Sequence, residues 1–289
     1  ADFGYRTMIL GDPKDEYEGL CHFLGEEPIV VGPGHPNRVN PLDFGPLANR
    51  WGELSKEEVQ QRTTTVFNRW STVLRGLIGS QRIGQEHIPV TPTDDRVLME
   101  ALRTLTGYTD GYTQLAETTI PQLWLALNDP SEQLVHDCRF ATEQQFLDET
   151  RLLRDALAKL VKGELAGMFD DHTNIKINWN APITSLSLSR ISDEAMGIAL
   201  TCVNSWGRGM RELAEPGDMR LVIRDEVWRQ MRQGPEAVKS FDADLRLSRK
   251  DGDIQIAVAH KPSDWLSVGD AGSQAVQIAK DMLHLADTK

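Results

Sequence analysis

Between residues 219 and 228 the chain reads M-R-L-V-I-R-D-E-V-W. Met219, Leu221, Val222 and Ile223 are apolar, so the segment reads as a short buried strand, and it runs straight into Asp225-Glu226. In a parallel sheet the carboxyl ends of the strands border the crevice where α/β folds bind ligands. Two adjacent carboxylates at that point stand where chemistry is done. An ordinary reading stays open beside it, because Asp and Glu also suit the N-terminus of a following helix. The rest of the chain has to decide between them.

Composition narrows the field. The sequence has 289 residues, 40% of them hydrophobic and 26% charged, enough for a sizeable core. That length accommodates one large α/β domain or a core domain carrying an insertion. The formal net charge of −12 argues against a nucleic-acid footprint over the whole surface. A local basic strip, or a pore formed by an oligomer, stays possible. Cys21, Cys138 and Cys202 are far apart, odd in number and in no CxxC pair, which disfavours a disulfide framework or zinc site and fits a reducing cytosol. No apolar run approaches the roughly 20 residues that cross a bilayer.

Taken in order, Thr7–Leu10 reads as a strand followed by G-D-P-K-D-E-Y (11–17), and Glu16–Leu24 as a short helix. Pro28–Val31 reads as a second strand, and the proline- and glycine-rich stretch 32–41 as a rigid loop that continues through 43–52. From Ser55 to Asp170 the pattern becomes helical. Ser55-Lys56-Glu57-Glu58 is a capping box, and apolar residues from Val59 to Leu77 recur near helical spacing. A polar loop (79–87), a helix beginning at Pro92-Thr93-Asp94, and helices over 122–127, 131–138 and 143–165 complete a block with no clear strand. Strands are expected again at Ile175–Trp179 and Ile183–Leu188, then a helix over Asp193–Leu213 capped by Ser192. The acid-ended strand, a helix over Pro235–Arg249, a strand over Ile254–Ala259 and a helix over Ser273–Leu285 finish the chain. This alternation around an inserted block implies an α/β fold with a largely parallel sheet, helices on both faces and an all-α insertion.

Several separated segments agree with one family. G-D-P-K-D-E-Y, V-N-P-L-D (39–43), F-D-D-H-T-N (169–174), L-V-I-R-D-E-V-W (221–228) and V-A-H-K-P-S-D (258–264) occur in this order. Together they resemble the motor domain of type IV secretion and conjugative-transfer ATPases, of the HerA/FtsK-like P-loop branch, most similar to the actinobacterial or Gram-positive type. The resemblance covers essentially the whole chain and implies a RecA-like P-loop NTPase sheet. It divides the chain into a first part of the ATPase core (1–54), a helical insertion (55–170) and a second core part with Walker B (171–289). It also implies ATP and Mg²⁺ as cofactors, a homo-hexamer, partner subunits of a membrane secretion or conjugation complex, and a cytoplasmic place at the inner membrane face held through those partners. DNA is a further partner in one version of that reading.

Site roles follow from the resemblance. Asp225 would hold Mg²⁺ through water, and Glu226 would act as general base or orient the attacking water. Lys14 and Glu16 would stand near the phosphates or a neighbouring subunit, against the plainer reading of a turn with a helix-start acid. His260 takes the place where the family usually carries a phosphate-sensing glutamine, against the plainer reading of a strand-end histidine. Arg249 is the candidate arginine finger, a task suited to a planar, permanently charged fork. Arg208 and Arg211 are weaker candidates. One departure matters: no Gly-x-x-x-x-Gly-Lys-Ser/Thr occurs in these residues. The chain therefore reads as the middle and back of a motor domain, with little ATPase activity expected of it alone. A DNA-pumping translocase or coupling protein, and a non-catalytic interaction fragment, are the competing readings.

Overall fold

A computed structural model describes residues 4–108, 114–163, 166–178, 180–211, 219–248 and 252–286. The first elements are β1 (Arg6–Asp12), α1 (Glu18–Phe23) and β2 (Ile29–Val30). Two 3-10 turns, Gly45–Asn49 and Trp51–Glu53, lead into the long helix α2 (Lys56–Gly79). A two-residue hairpin follows, β3 (Arg82–Ile83) with β4 (Glu86–His87). Then come α3 (Pro92–Thr106), α4 (Ile120–Asn128), α5 (Glu132–Asp137), α6 (Glu143–Glu149) and α7 (Arg151–Lys162). The chain continues through β5 (Ile183–Ser187), α8 (Asp193–Gly209), β6 (Arg220–Arg224), α9 (Val227–Met231) and α10 (Pro235–Ser248). It ends with β7 (Asp253–Ala257), α11 (Pro262–Leu266) and α12 (Gln274–Leu285).

Five strands form one sheet in the order β2-β5-β1-β6-β7, with every neighbouring pair parallel. The pleat sends alternate residues to opposite faces. On β1, Met8 and Leu10 join the large core shared with α2, α8 and the helical block, whereas Ile9 turns the other way to meet Cys21 of α1 and Ile183. The α/β architecture expected from the alternation is thus present, with helices on both faces. The second face is not covered evenly. Leu221 pairs with Ile254 and Ile223 with Ile256, and Ile254 and Ile256 of the outer strand β7, with Val258 just beyond its end, lie exposed.

Helix starts follow local chemistry. Ser55, Thr91 and Thr119 each form a reciprocal capping box with the residue three positions on, and Ser192 caps α8 through Ala195. Gly11 sits where β1 bulges between Ile9 and Asp12, at φ 96°, a conformation that strongly favours glycine. That bend directs the following loop over the carboxyl edge of the sheet.

Four local expectations are corrected. Ile175–Trp179 is not a strand over its described residues. Ile175 and Ile177 do pack against the core, but side chains occupy the backbone donors beside this segment. Asn174 Oδ1 accepts from the amide of Arg38 (2.7 Å) and Thr173 Oγ1 from that of Asn40 (2.9 Å). The expected helix 143–165 is two helices meeting at Thr150, which is fully buried and returns its hydroxyl to the Phe146 carbonyl at 2.7 Å. The 43–52 loop contains two 3-10 turns, around Leu47 and Trp51 in the core. The 79–87 loop contains the small hairpin, so the helical block is not strictly all-α.

Candidate active site

β1, β6 and β7 end side by side, so the segments after them share the carboxyl edge of the sheet. After β1, the buried Asp12 organises its own turn. Its Oδ1 accepts from the amides of Lys14 (3.2 Å) and Glu16 (3.1 Å), and its Oδ2 from that of Tyr17 (3.0 Å). This is the Asx-type bonding that lets a short acid hold a tight turn. Asp15 adopts φ 57° and accepts a hydrogen bond from the Ser187 hydroxyl, tying the turn to the end of β5.

After β6, Asp225 Oδ1 accepts from the Glu226 amide at 2.8 Å. Glu226 has left-handed backbone angles, φ 49° and ψ 32°, and immediately precedes α9. The turn is clasped from β7: Val258 donates to the Arg224 carbonyl (2.9 Å), and Val227 donates to the Val258 carbonyl (3.2 Å).

Three nitrogen-bearing side chains, the Lys14 ammonium, the His260 ring and the Arg229 guanidinium, converge on Glu226. Lys14 Nζ lies 2.7 Å from Oε1, His260 Nε2 lies 2.8 Å from the same oxygen, and Arg229 Nε lies 3.2 Å from Oε2. Burial acts to raise the Glu226 pKa, but hydrogen bonds from Lys14 and Arg229 and the charge of Lys14 outweigh it, leaving the carboxyl below its ordinary range. The same hydrogen bond holds Lys14 above its ordinary value. Asp225 goes the opposite way. Burial, with the charges of Glu16, Glu226 and Asp12 around it, raises its pKa despite the Glu226 amide. Tyr17 is pushed up to about 12 by burial and then by Asp225, Asp12 and Glu16. Two adjacent acids are therefore set apart: one neutralised by cations, the other short of positive charge.

That shortage is a test of whether a divalent cation fits. Among the described residues no group of three or more His, Cys, Asp or Glu side chains is arranged to hold a metal by itself. A cation at Asp225 would need water and ligand oxygens to complete its shell, which suits Mg²⁺, a cation that keeps several waters and binds through one or two carboxylates. The donor chemistry fits, and Lys14 and His260 suit a polyphosphate beside it.

Of the residues singled out in the sequence, Lys14, Asp225, Glu226 and His260 come together. Glu16 stands at the rim with an exposed side chain and acts on Lys14 and Asp225 through its charge. Arg249 lies outside the described residues. Arg208 and Arg211 are paired with Asp244 and Asp253, and Arg224 joins Asp244 at 3.3 Å. Sequence reasoning missed Arg229 and Asp12. Arg229 stands three residues after Glu226, one turn on a helix, and Asp12 opens the G-D-P turn; both spacings were visible.

The sheet order and the crossover helices make an α/β fold with a parallel sheet, consistent with the P-loop NTPase type. Among solved structures the chain is similar to VirB4 of Thermoanaerobacter pseudethanolicus, with a TM-score of 0.65 and 17% sequence identity, over 98% of this chain and 68% of that one. At that identity the likeness shows the fold. No protein-family model and no curated protein matches the sequence. Among the described residues no helix is long and apolar enough to cross a membrane.

Proposed function

We propose that this chain is part of the motor domain of an ATPase subunit in a type IV secretion or conjugative-transfer system, which couples ATP hydrolysis to substrate transfer or channel assembly. The observation that carries the reading is the Asp225-Glu226 pair at the carboxyl edge of β6, with Lys14 and His260 brought to it from the neighbouring strands. The fold shared with VirB4 and the order of the family-like segments support it.

In this reading Mg²⁺ and ATP together supply an electrophilic phosphorus and neutralise its charge. Asp225 would hold the cation, with water completing its shell. Glu226 orients the attacking water and takes its proton. Lys14 and His260 contact the phosphate oxygens, and Glu16 faces the nucleotide or the neighbouring subunit. By the same resemblance Arg249, outside the described residues, is the candidate arginine finger for the nucleotide of the next subunit in a hexameric ring. Residues 55–170 act as an inserted helical subdomain between core parts 1–54 and 171–289. The partners are other subunits of a membrane secretion or conjugation complex at the cytoplasmic face, with DNA as a possible cargo.

The test is ATP hydrolysis by the full-length natural protein that carries these residues, beside Glu226→Gln. Hydrolysis by the parent, with a variant that binds ATP but does not turn it over, is the expected result. Equal turnover by both would remove Glu226 from the chemistry. Inactivity of the parent at concentrations that favour rings would turn the reading toward an interaction module. Filter binding of single- and double-stranded DNA across salt separates the translocase version, which requires a steep salt slope.

A further inference from the structure

We infer that Arg229 is the positioning residue for the Glu226 carboxylate, fixing Oε2 so that Oε1 alone is exchanged between the resting and working site. The inference rests on the reading of Glu226 as the residue that orients attacking water.

The two carboxylate oxygens are held in different ways. Oε2 accepts from Arg229 Nε at 3.2 Å, and the same guanidinium donates through Nη1 to Asp193 Oδ1 at 2.7 Å. Asp193 is the first residue of α8, whose cap Ser192 is bonded to Ala195. The Arg229 guanidinium also lies over the Trp228 ring, 5.0 Å from its centroid. Arg229 is thus anchored at two acceptors and along its face, and its side chain is 19% exposed.

Oε1 is held by Lys14 and His260, whose side chains are 45% and 59% exposed. Both come from loops that follow neighbouring strands. A carboxylate oxygen already occupied by two nitrogen groups, the Lys14 ammonium and the His260 ring, is poorly placed to take a proton from water, so Oε1 has to shed them before it can work. A polyphosphate in the crevice offers charged oxygens of the kind that an ammonium or a ring N–H binds. Lys14 and His260 can turn to it with little loss of packing. Arg229, 19% exposed and shared between Glu226 and Asp193, is the most confined of the three, although Asp193 itself is 83% exposed. The planar fork explains the residue type: Nε and Nη1 serve two separate acceptors at once, which one ammonium does not do with the same geometry.

The experiment uses Arg229→Gln, Arg229→Lys, Asp193→Asn, Glu226→Gln and the double variant Glu226→Gln/Arg229→Gln. The first readout needs no nucleotide: crystal structures of this chain and of its Arg229→Gln form. The variant is expected to lose the single Glu226 side-chain orientation, and an unmoved carboxylate would overturn the inference. The second readout is steady-state ATP hydrolysis by the full-length natural protein. Arg229→Gln is expected to lower kcat on the order of 10²-fold, the cost of a misplaced catalytic group, with KM changed less than about threefold. Arg229→Lys should recover part of the loss, and Asp193→Asn should show a smaller one. In the Glu226→Gln background the Arg229 change should lower neither ATP affinity nor the residual single-turnover hydrolysis any further, because it acts through that carboxylate. A loss of the same size in that background, or a rise in KM without loss of kcat, would overturn the inference. A parent without hydrolysis would sink the ATPase reading, and the crystal structures would then decide the positioning role alone.

Discussion

Glu226 adopts a backbone conformation that an L-residue holds only at a cost, and this yields a sharp stability test. Its φ of 49° and ψ of 32° are left-handed helical, worth roughly 1–2 kcal/mol of strain for a residue with a Cβ. Glu226→Ala and Glu226→Gly both delete the carboxylate. In both, Lys14 and His260 return to water and Arg229 keeps Asp193 at 2.7 Å. The side-chain effects cancel, so the difference between the variants isolates the backbone. In ordinary helix or strand, Gly is about 0.5–1 kcal/mol less stable than Ala, because its unfolded chain is freer. Here relief of roughly 1–2 kcal/mol exceeds that cost, leaving Gly ahead by about 0.5–1 kcal/mol. In a chain of this length that is roughly a 2 °C higher Tm, readable by scanning calorimetry without nucleotide. An alanine variant as stable as the glycine variant, or more so, would refute the argument. The strain would then be absent, and the Asp225 bond to the Glu226 amide would have no cost to offset.

Other consequences are testable away from the site. Arg75 ties α2 to α10 through Glu236 at 3.1 Å and to α3 through Asp95, and Arg75→Ala is expected to cost about 1–3 kcal/mol in urea unfolding at neutral pH. The pH dependence of that deficit is fixed in sign. Burial holds Asp95 above its ordinary pKa, so its ionised form costs stability above that pKa; hydrogen bonds from Lys239 and Arg75 hold Glu236 below its ordinary value despite burial, a contribution lost as pH falls through the folded pKa. The gap between variant and parent should therefore narrow as pH falls through the folded pKa values of these two carboxyls, and a gap that widens would contradict it. Thr91→Ala removes one half of a capping box whose hydroxyl accepts from Asp94 at 3.2 Å; a loss of about 1 kcal/mol in denaturation is expected, and no loss would show the cap to be idle. Ile254→Thr with Ile256→Thr should reduce self-association in light scattering without altering the circular dichroism spectrum, because these side chains stand exposed on the outer strand. Unchanged association would mean that this face is not sticky.

The sheet was legible because its strands carry apolar runs that end abruptly in polar turns, and a parallel sheet buried on both faces demands such runs. The failure at Ile175–Trp179 has the same physics viewed from the other side. Alternating Ile175 and Ile177 correctly report a half-buried segment, but a strand also needs free backbone partners. Asn174 and Thr173 had already taken the donors of Arg38 and Asn40 with their side chains. Pattern sees burial and is blind to that competition. The break at Thr150 was hidden for a related reason, since a buried threonine bonded back to Phe146 leaves the apolar period intact while bending the axis.

The site divides along the same line. Lys14, Asp225, Glu226 and His260 could be read because each follows a strand, and parallel neighbours deliver their ends to one edge whatever the intervening sequence. Arg229 follows no strand, and an arginine three residues after a glutamate at a helix start is ordinary. What distinguishes it is Asp193, 36 positions earlier in the chain, which takes the other end of the guanidinium. That partner is brought near by α8 packing beside α9, a tertiary fact. Strand topology thus gathers the groups that would meet a ligand, and helix packing selects which of them is held fixed.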